Sequence, residues 1–347
     1  MKDLKYLLAY IGPIAAYLGL YLGGYWSFGI IYVGFILIPL IELFTPGNTI
    51  NLSAEQEETK LRTRFFDYLL YLNIPILYGI LYLYFTKMAA GGLTTFEYIG
   101  MTMNTGSAVG ILGINVGHEL GHRLTKFEQT LSKMLLLPAL YMHFFIEHNL
   151  GHHKHVSTPE DPATSRFGEN IYAFFIRSVK GSYLDAWEIE KTQLQRRKIT
   201  FWSMNNQMIQ FQLIQFTYLL VIGFVFGWQV MALAVVVAII GFLHLEAVNY
   251  VEHYGLVRNK LENGRYETVK PHHSWNSNHE MGRIFLYELT RHSDHHFKAT
   301  RKYQVLRHFD ESPQLPYGYP GSVLLAFVPP LWFSVMNKRV PRHQQAV

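Results

Sequence analysis

Gln207–Leu243, QMIQFQLIQFTYLLVIGFVFGWQVMALAVVVAIIGFL, runs for 37 residues without an Asp, Glu, Lys or Arg. An apolar helix crosses the hydrocarbon core of a bilayer with ~20 residues. The stretch therefore reads as two spans that turn at Gly227-Trp228. Working outward, charge-free stretches recur at 98–117, 68–86, 26–41 and 6–23. A soluble core rarely supplies so many of this length. Composition agrees: 50% of the chain is hydrophobic and only 16% charged, against ~25% charged in soluble domains. Aromatic residues make up 15%, which excludes a disordered chain. The expected fold is all-α, a single integral membrane domain over 1–347. Six transmembrane helices are expected at about 6–23, 26–44, 67–87, 98–117, 208–226 and 228–248.

Basic residues in short loops set the orientation. Lys2 and Lys5 precede the first span, and Lys60, Arg62 and Arg64 lie between the second and third. The alternate loops carry almost none. Both termini and the segments 118–206 and 249–347 are thus expected in the cytoplasm, with 131–146 membrane-associated but not spanning. Topology absorbs much of the net charge of +5, and no nucleic-acid partner is expected. The first span is too long and aromatic for a signal peptide, and no small-residue cleavage site follows it. The connector from Asn48 to Arg64 reads as a solvated amphipathic segment.

The chain has 17 histidines and no cysteine, so disulfides, thiolate zinc sites, iron–sulfur clusters and a nucleophilic Cys are excluded. The histidines cluster at the cytoplasmic ends of the spans. His118-Glu-Leu-Gly-His122 follows the fourth, and Glu147-His148-Asn-Leu-Gly-His152-His153 comes next. Asn249-Tyr-Val-Glu252-His253 ends the sixth, and His292-Ser-Asp294-His295-His296 lies beyond. Residues i and i+4 share a helix face. His118 with His122, His148 with His152, and His292 with both His295 and His296 are expected to aim imidazoles at a common ion. Nine imidazoles exceed the four ligands of one tetrahedral ion, so two metals are expected, and both need 131–146 to stay on one side of the bilayer. Imidazole suits Zn, Cu, Fe and Ni alike.

HELGH also matches the HExxH pattern of zinc proteases, but a protease would leave six or more clustered histidines without a role. A metal transporter would place its ligands near the bilayer midplane, and these sit at helix ends. Glu119, Glu147, Glu252 and Asp294, each beside a histidine in sequence, are candidates to accept the second N–H of a ligand. Adjacent residues on a helix point apart, which argues against each. Asp161 is assigned to shaping the loop after the second box, between Pro159 and Pro162. His143, His155, His244, His272, His273 and His279 are left outside the ligand set.

With these motifs in view, His118-Glu-Leu-Gly-His122-Arg, Glu147-His148-Asn-Leu-Gly-His152-His153-Lys-His155-Val-Ser-Thr-Pro-Glu-Asp161-Pro, Asn249-Tyr-Val-Glu-His253-Tyr-Gly-Leu and His292-Ser-Asp-His295-His296 resemble the boxes of the membrane-bound alkane monooxygenases. Membrane fatty-acid desaturases and hydroxylases share the bare HxxxH and HxxHH spacing. The resemblance extends over nearly the whole chain, with Arg123 where many members have Lys. It implies a di-iron centre held by His118, His122, His148, His152, His153, His253, His292, His295 and His296. It further implies O₂-dependent hydroxylation of the terminal methyl of medium-chain n-alkanes in a bacterial inner membrane. A fatty-acyl desaturase or hydroxylase is the nearest alternative. The cofactor that the resemblance implies is two Fe ions; with no GxGxxG fingerprint, P-loop or CxxC in the chain, no flavin, haem or nicotinamide is expected. Electrons must come from a separate carrier, by resemblance a rubredoxin reduced by a rubredoxin reductase. Lys191, Arg196, Arg197 and Lys198 read equally as its docking site or as a membrane-surface anchor.

Overall fold

A computed structural model of the chain describes residues 2–342. Among the described residues the structure is helical, with three isolated bridges and no strand. Five helices are long and apolar enough to cross a membrane. They are α1 (Asp3–Leu22), α2 (Gly24–Phe44), α4 (Phe65–Ala90), α9 (Gln207–Phe226) and α10 (Trp228–His253). Between α2 and α4 lies α3 (Ala54–Arg62), capped by Ser53 and Gln56.

The remaining expected span, 98–117, is helical but is not among the five. It falls in α5 (Thr95–Ala108), a wide π turn at Val109–Ile114, and α6 (Asn115–Gly121). The helix starts where Thr94 and Glu97 form a capping box, which satisfies N–H groups at the first turn that have no partner within the helix. Its low apolarity has a local cause: Thr102, Asn104, Thr105 and Ser107 interrupt the stretch, and all four are buried. A hydropathy average counts such residues as if they faced lipid.

Backbone contacts divide the chain into two compact units. The first comprises residues up to Ile36, Phe65–Glu147 and Tyr183–Leu245; the second comprises Leu37–Arg64, His148–Ser182 and the chain from Glu246 onward. In the first, small residues let helices approach closely, as in membrane bundles generally. A Cβ on Gly106 would sit 2.5 Å from the Ile240 Cβ. Several buried polar side chains among this unit's apolar helices are satisfied singly. Asn104 donates to Ala16 O at 2.8 Å and accepts from Ile30 N–H at 2.9 Å. Gln215 accepts from Met142 N–H. His244 sits between Ile240 O and the Ser107 hydroxyl. His143 is buried against Tyr141 and Tyr183, where burial pushes its pKa down to about 3. The stretch 131–146 is broken: α7 (Lys126–Leu136) ends in a 3₁₀ turn, and Leu140 adopts a left-handed conformation. At 1.5 Å per residue, the 11 residues of α7 extend for about 16 Å.

The second unit is built differently. Its connector, residues 47–57, is a strap tied down along its length. Asn48 N–H donates to Asn278 O, Arg283 and Arg291 both donate to Asn48 O, and Arg291 also reaches Ile50 O. Asn51 exchanges two hydrogen bonds with the backbone of His308, and Glu57 pairs with Arg301 at 3.4 Å. The segment is solvated as expected, most of its residues being exposed, and it also acts as a structural clasp.

Candidate metal centre

Three of the histidine boxes sit on short pieces of helix, and His253 ends the 26-residue α10. His118 and His122 close α6, and their Nε2 atoms lie 3.3 Å apart, so the i, i+4 expectation holds for this pair in the first unit. The next residue, Arg123, is almost wholly buried and pairs with Glu119 at 2.9 Å and Asp67 at 3.3 Å, with Glu128 at 4.0 Å. A planar guanidinium spreads over several carboxylates in a way an ammonium cannot, and this makes Arg123 the anchor of the box. Ser132 of α7 adds a hydrogen bond to Gly117 O.

The second unit gathers seven imidazoles, and it sorts them differently from the helix-face expectation. The second box is a π turn, His148–His152. Because a π turn closes i to i+5, His148 aligns with His153 and not with His152. The Nε2 atoms of His148 and His153 are 3.1 Å apart, and His295 Nε2 is 3.1 Å from His153 Nε2. His152 joins the other group: its Nε2 lies 3.3 Å from His296 Nε2, His296 is 2.8 Å from His292, and His292 is 3.3 Å from His253. His292 and His296, at i and i+4 on α12 (His292–Phe297), thus belong together, while His295 points to the first group. One ring nitrogen of each of His152, His253, His292 and His296 lies within 4.8 Å of the others, and all four rings are buried.

The donor chemistry fits a metal. Bonds of about 2.0–2.1 Å in a tetrahedron place neighbouring nitrogens about 3.4 Å apart, close to the 3.3 Å edges of the four-histidine group. Burial, followed by the neighbouring imidazoles, pushes His296 well below the usual histidine range. Its ring is therefore neutral and offers a lone pair, as ligation requires.

The carboxylates divide as well. Asp161 is fully buried and its Oδ2 lies 2.9 Å from His152 Nδ1. Thr164 Oγ1 donates to the same oxygen, and Ala163 N–H donates to Oδ1. This is the carboxylate–histidine arrangement that fixes a ligand's tautomer and orientation. It comes from a residue read only as loop-shaping, because Asp161 lies nine positions beyond its partner and meets it through the turn at Thr158–Pro162. It also lines a cavity of about 340 Å³ with Thr158, Thr164, Arg166 and Phe167. Glu252 reaches the site: its Oε2 is 3.2 Å from His292 Nε2. Asp294 takes another role, holding Arg307 through its backbone and guanidinium and Arg301 at 3.3 Å. It pins α12 in place. Glu119 pairs with Arg123, and Glu147 is buried where the chain enters the π turn.

A third group, Glu267, His272 and His273, does not fit an ion. Lys270 N–H donates to His273 Nδ1 at 3.0 Å, which puts the ring proton on Nε2, 3.5 Å from Glu267. That nitrogen has no lone pair to give. His155 pairs with Glu160 at the surface. These residues stay outside the ligand set.

Comparison with known sequences converges on one group. The fatty acid desaturase family model matches residues 96–322. An alkane 1-monooxygenase of Pseudomonas putida is 40% identical over 98% of this chain and 85% of its own length. Another from Ectopseudomonas oleovorans is 39% identical over 98% and 86%. The hydroxylase component of a xylene/toluene monooxygenase from Pseudomonas putida is 27% identical over 97% and 89%. With histidines of the second, third and fourth boxes gathered at such nitrogen–nitrogen spacings within one unit and this similarity along nearly its full length, the chain belongs to the alkane 1-monooxygenase family, within the wider fatty acid desaturase family.

Proposed function

We propose that the chain is an integral membrane enzyme that hydroxylates the terminal methyl of medium-chain n-alkanes, with O₂, at a histidine-ligated di-iron centre. The observation that carries this reading is the sorting of seven imidazoles in the second unit into a four-histidine and a three-histidine group. One ion would be held by His152, His253, His292 and His296. The other would be held by His148, His153 and His295, with His118 and His122 completing it, as their place in the family's boxes supports. When bound, the irons supply the oxidising power that an unactivated C–H bond demands and that no side chain has.

The chain's own residues prepare for that chemistry. Asp161 accepts from His152 Nδ1, so that Nε2 presents its lone pair inward. Glu252 sets a carboxylate oxygen beside His292. Arg123 holds the helix carrying His118 and His122 by its pairs with Glu119 and Asp67. Burial of the four-histidine group keeps bulk water from its ligand atoms. The protease reading needs Glu119 as a general base, whereas Glu119 is committed to Arg123.

Five helices of sufficient length and apolarity, with the helical run from Thr95 to Gly121 as a sixth, support the six-span topology. The shortness of α7 supports a stretch 131–146 that does not cross. Loop charge supports cytoplasmic termini and a cytoplasmic site in a bacterial inner membrane. The absence of nucleotide-binding motifs in the sequence supports a rubredoxin as electron donor. Metal analysis of the purified protein, joined to gas chromatography of products from octane or a fatty acid with O₂ and reduced rubredoxin, tests the whole. Two irons per chain and 1-octanol are expected. Zinc alone, or product from the fatty acid only, would overturn it.

A further inference from the structure

The basic run at the end of α8 (Ile171–Arg196) lies at the mouth of a membrane helix. Only the residues 197–206 separate α8 from α9, and the join is firm. Buried Glu190 accepts from Gln207 N–H at 2.9 Å, and Asn206 caps α9 by accepting from Met208 and Ile209 N–H. Lys198, in a left-handed conformation (φ 56°), turns the chain. Arg196, Arg197 and Lys198 are consecutive and exposed, and none of the three has a carboxylate partner among the described residues. Lys191, one turn earlier, is already paired with Glu188.

Aromatic side chains lie on the same turn. Trp202 is 78% exposed and Met204 63% exposed. Trp202 packs on Phe201 and Phe201 on Trp187, with ring centres 5.0 and 5.9 Å apart. An acidic protein partner would account for three free cations. It would not account for an exposed indole and thioether five residues or fewer ahead of a 20-residue apolar helix. A bilayer interface accounts for both. Indole rings settle at headgroup level, and juxtamembrane cations are drawn to anionic lipid.

We propose that Arg196, Arg197 and Lys198, with Trp202 as anchor, form a binding site for anionic phospholipid headgroups. The two guanidinium groups match phosphate oxygens in pairs, and Lys198 adds a point charge. The site rests on membrane insertion of α9 and not on the chemistry at the histidines.

The test uses the full chain in nanodiscs of phosphatidylcholine, alone or with phosphatidylglycerol. Each basic residue near an anionic surface is worth about fivefold. R196Q/R197Q/K198Q is therefore expected to lose at least about tenfold in phosphatidylglycerol retained by native mass spectrometry. In phosphatidylcholine alone, variant and wild type should melt together. Independently, the fluorescence difference between wild type and W202F should be quenched by lipid brominated near the headgroup. Unchanged phosphatidylglycerol retention, or a Trp202 signal untouched by brominated lipid, would overturn the site. So would a severalfold rise in the KM for an acidic electron carrier with lipid retention intact, which would assign the patch to the carrier.

Discussion

The apolar helices of the first unit and the second unit as a whole bury polar groups in opposite ways, while Arg123 of the first unit, with Glu119, Asp67 and Glu128, belongs to the chained kind. In the first, Asn104, Gln215 and His244 stand singly among apolar side chains, and each is satisfied by one or two partners. In the second, polar groups are chained. Glu57 holds Arg301, Arg301 and Arg307 share Asp294, and Asp294 sits in sequence between His292 and His295. Arg283 pairs with Glu288 while sharing Asn48 O with Arg291. The difference has a physical consequence. A singly satisfied group can be replaced at the cost of its own hydrogen bonds, whereas removing one member of a chain strands the next buried charge. The ligand-bearing helices are thus fixed by a network and the apolar helices by packing.

Breaking the four-histidine group should have the largest effect. His292→Ala is expected to abolish alkane oxidation and to remove one of the two ions, read by metal analysis of the purified protein. Asp294→Ala leaves Arg301 and Arg307 without their shared carboxylate. It should destabilise the second unit by about 1.5–3 kcal/mol, the usual worth of hydrogen bonds to a charged group, since Arg301 keeps Glu57 and Arg307 is partly exposed, seen as a lower melting temperature and faster hydrogen exchange across 285–310. Asp161→Asn keeps the loop's shape but withdraws the negative partner of His152. Metal affinity should fall about 10–100-fold in a chelator competition, with melting of the metal-free protein little changed. On the packing side, Asn104→Leu should cost about 0.6–1.7 kcal/mol, the range measured for hydrogen bonds between membrane helices. Cost there as large as for Asp294→Ala would erase the contrast between the units.

The effect of narrowest reach is one of pH. Burial, with help from His272 and Arg258, lowers His273 to about 4. The folded ring is therefore neutral, while the unfolded one binds a proton near pH 6.5. The stability this neutral ring contributes is present above pH 6.5 and is lost as pH falls towards 4. Hydrogen exchange should quicken in 258–273 over that window while 95–108 stays protected.

Much of this could be read from residue types alone. Charge-free stretches mark all five helices that are long and apolar enough to cross a membrane, and the clustered histidines stand out in their motifs. The pairing was not legible, because spacing arguments assume 3.6 residues per turn and His148–His152 is wound more loosely. Asp161 escaped for a related reason: periodicity links neighbours on one helix, and this carboxylate returns through a turn. The strap escaped because Asn48 and Ile50 contribute backbone carbonyls, which leave no mark on composition. Polar Asn104 and Ser107 weakened the signal of the fourth span although both are buried.

A wide turn is what an ordinary helix becomes when it accommodates one surplus residue. Deleting Leu150 would restore the regular winding, and each position of an α-helix is rotated by about 100° from the last. His148 and His152 would then stand three positions apart, about 60° of rotation between them, and the present sorting, one towards His153 and His295 and the other towards His292 and His296, would be lost. One surplus residue is thereby enough to let a five-residue segment send its two histidines into two separate groups.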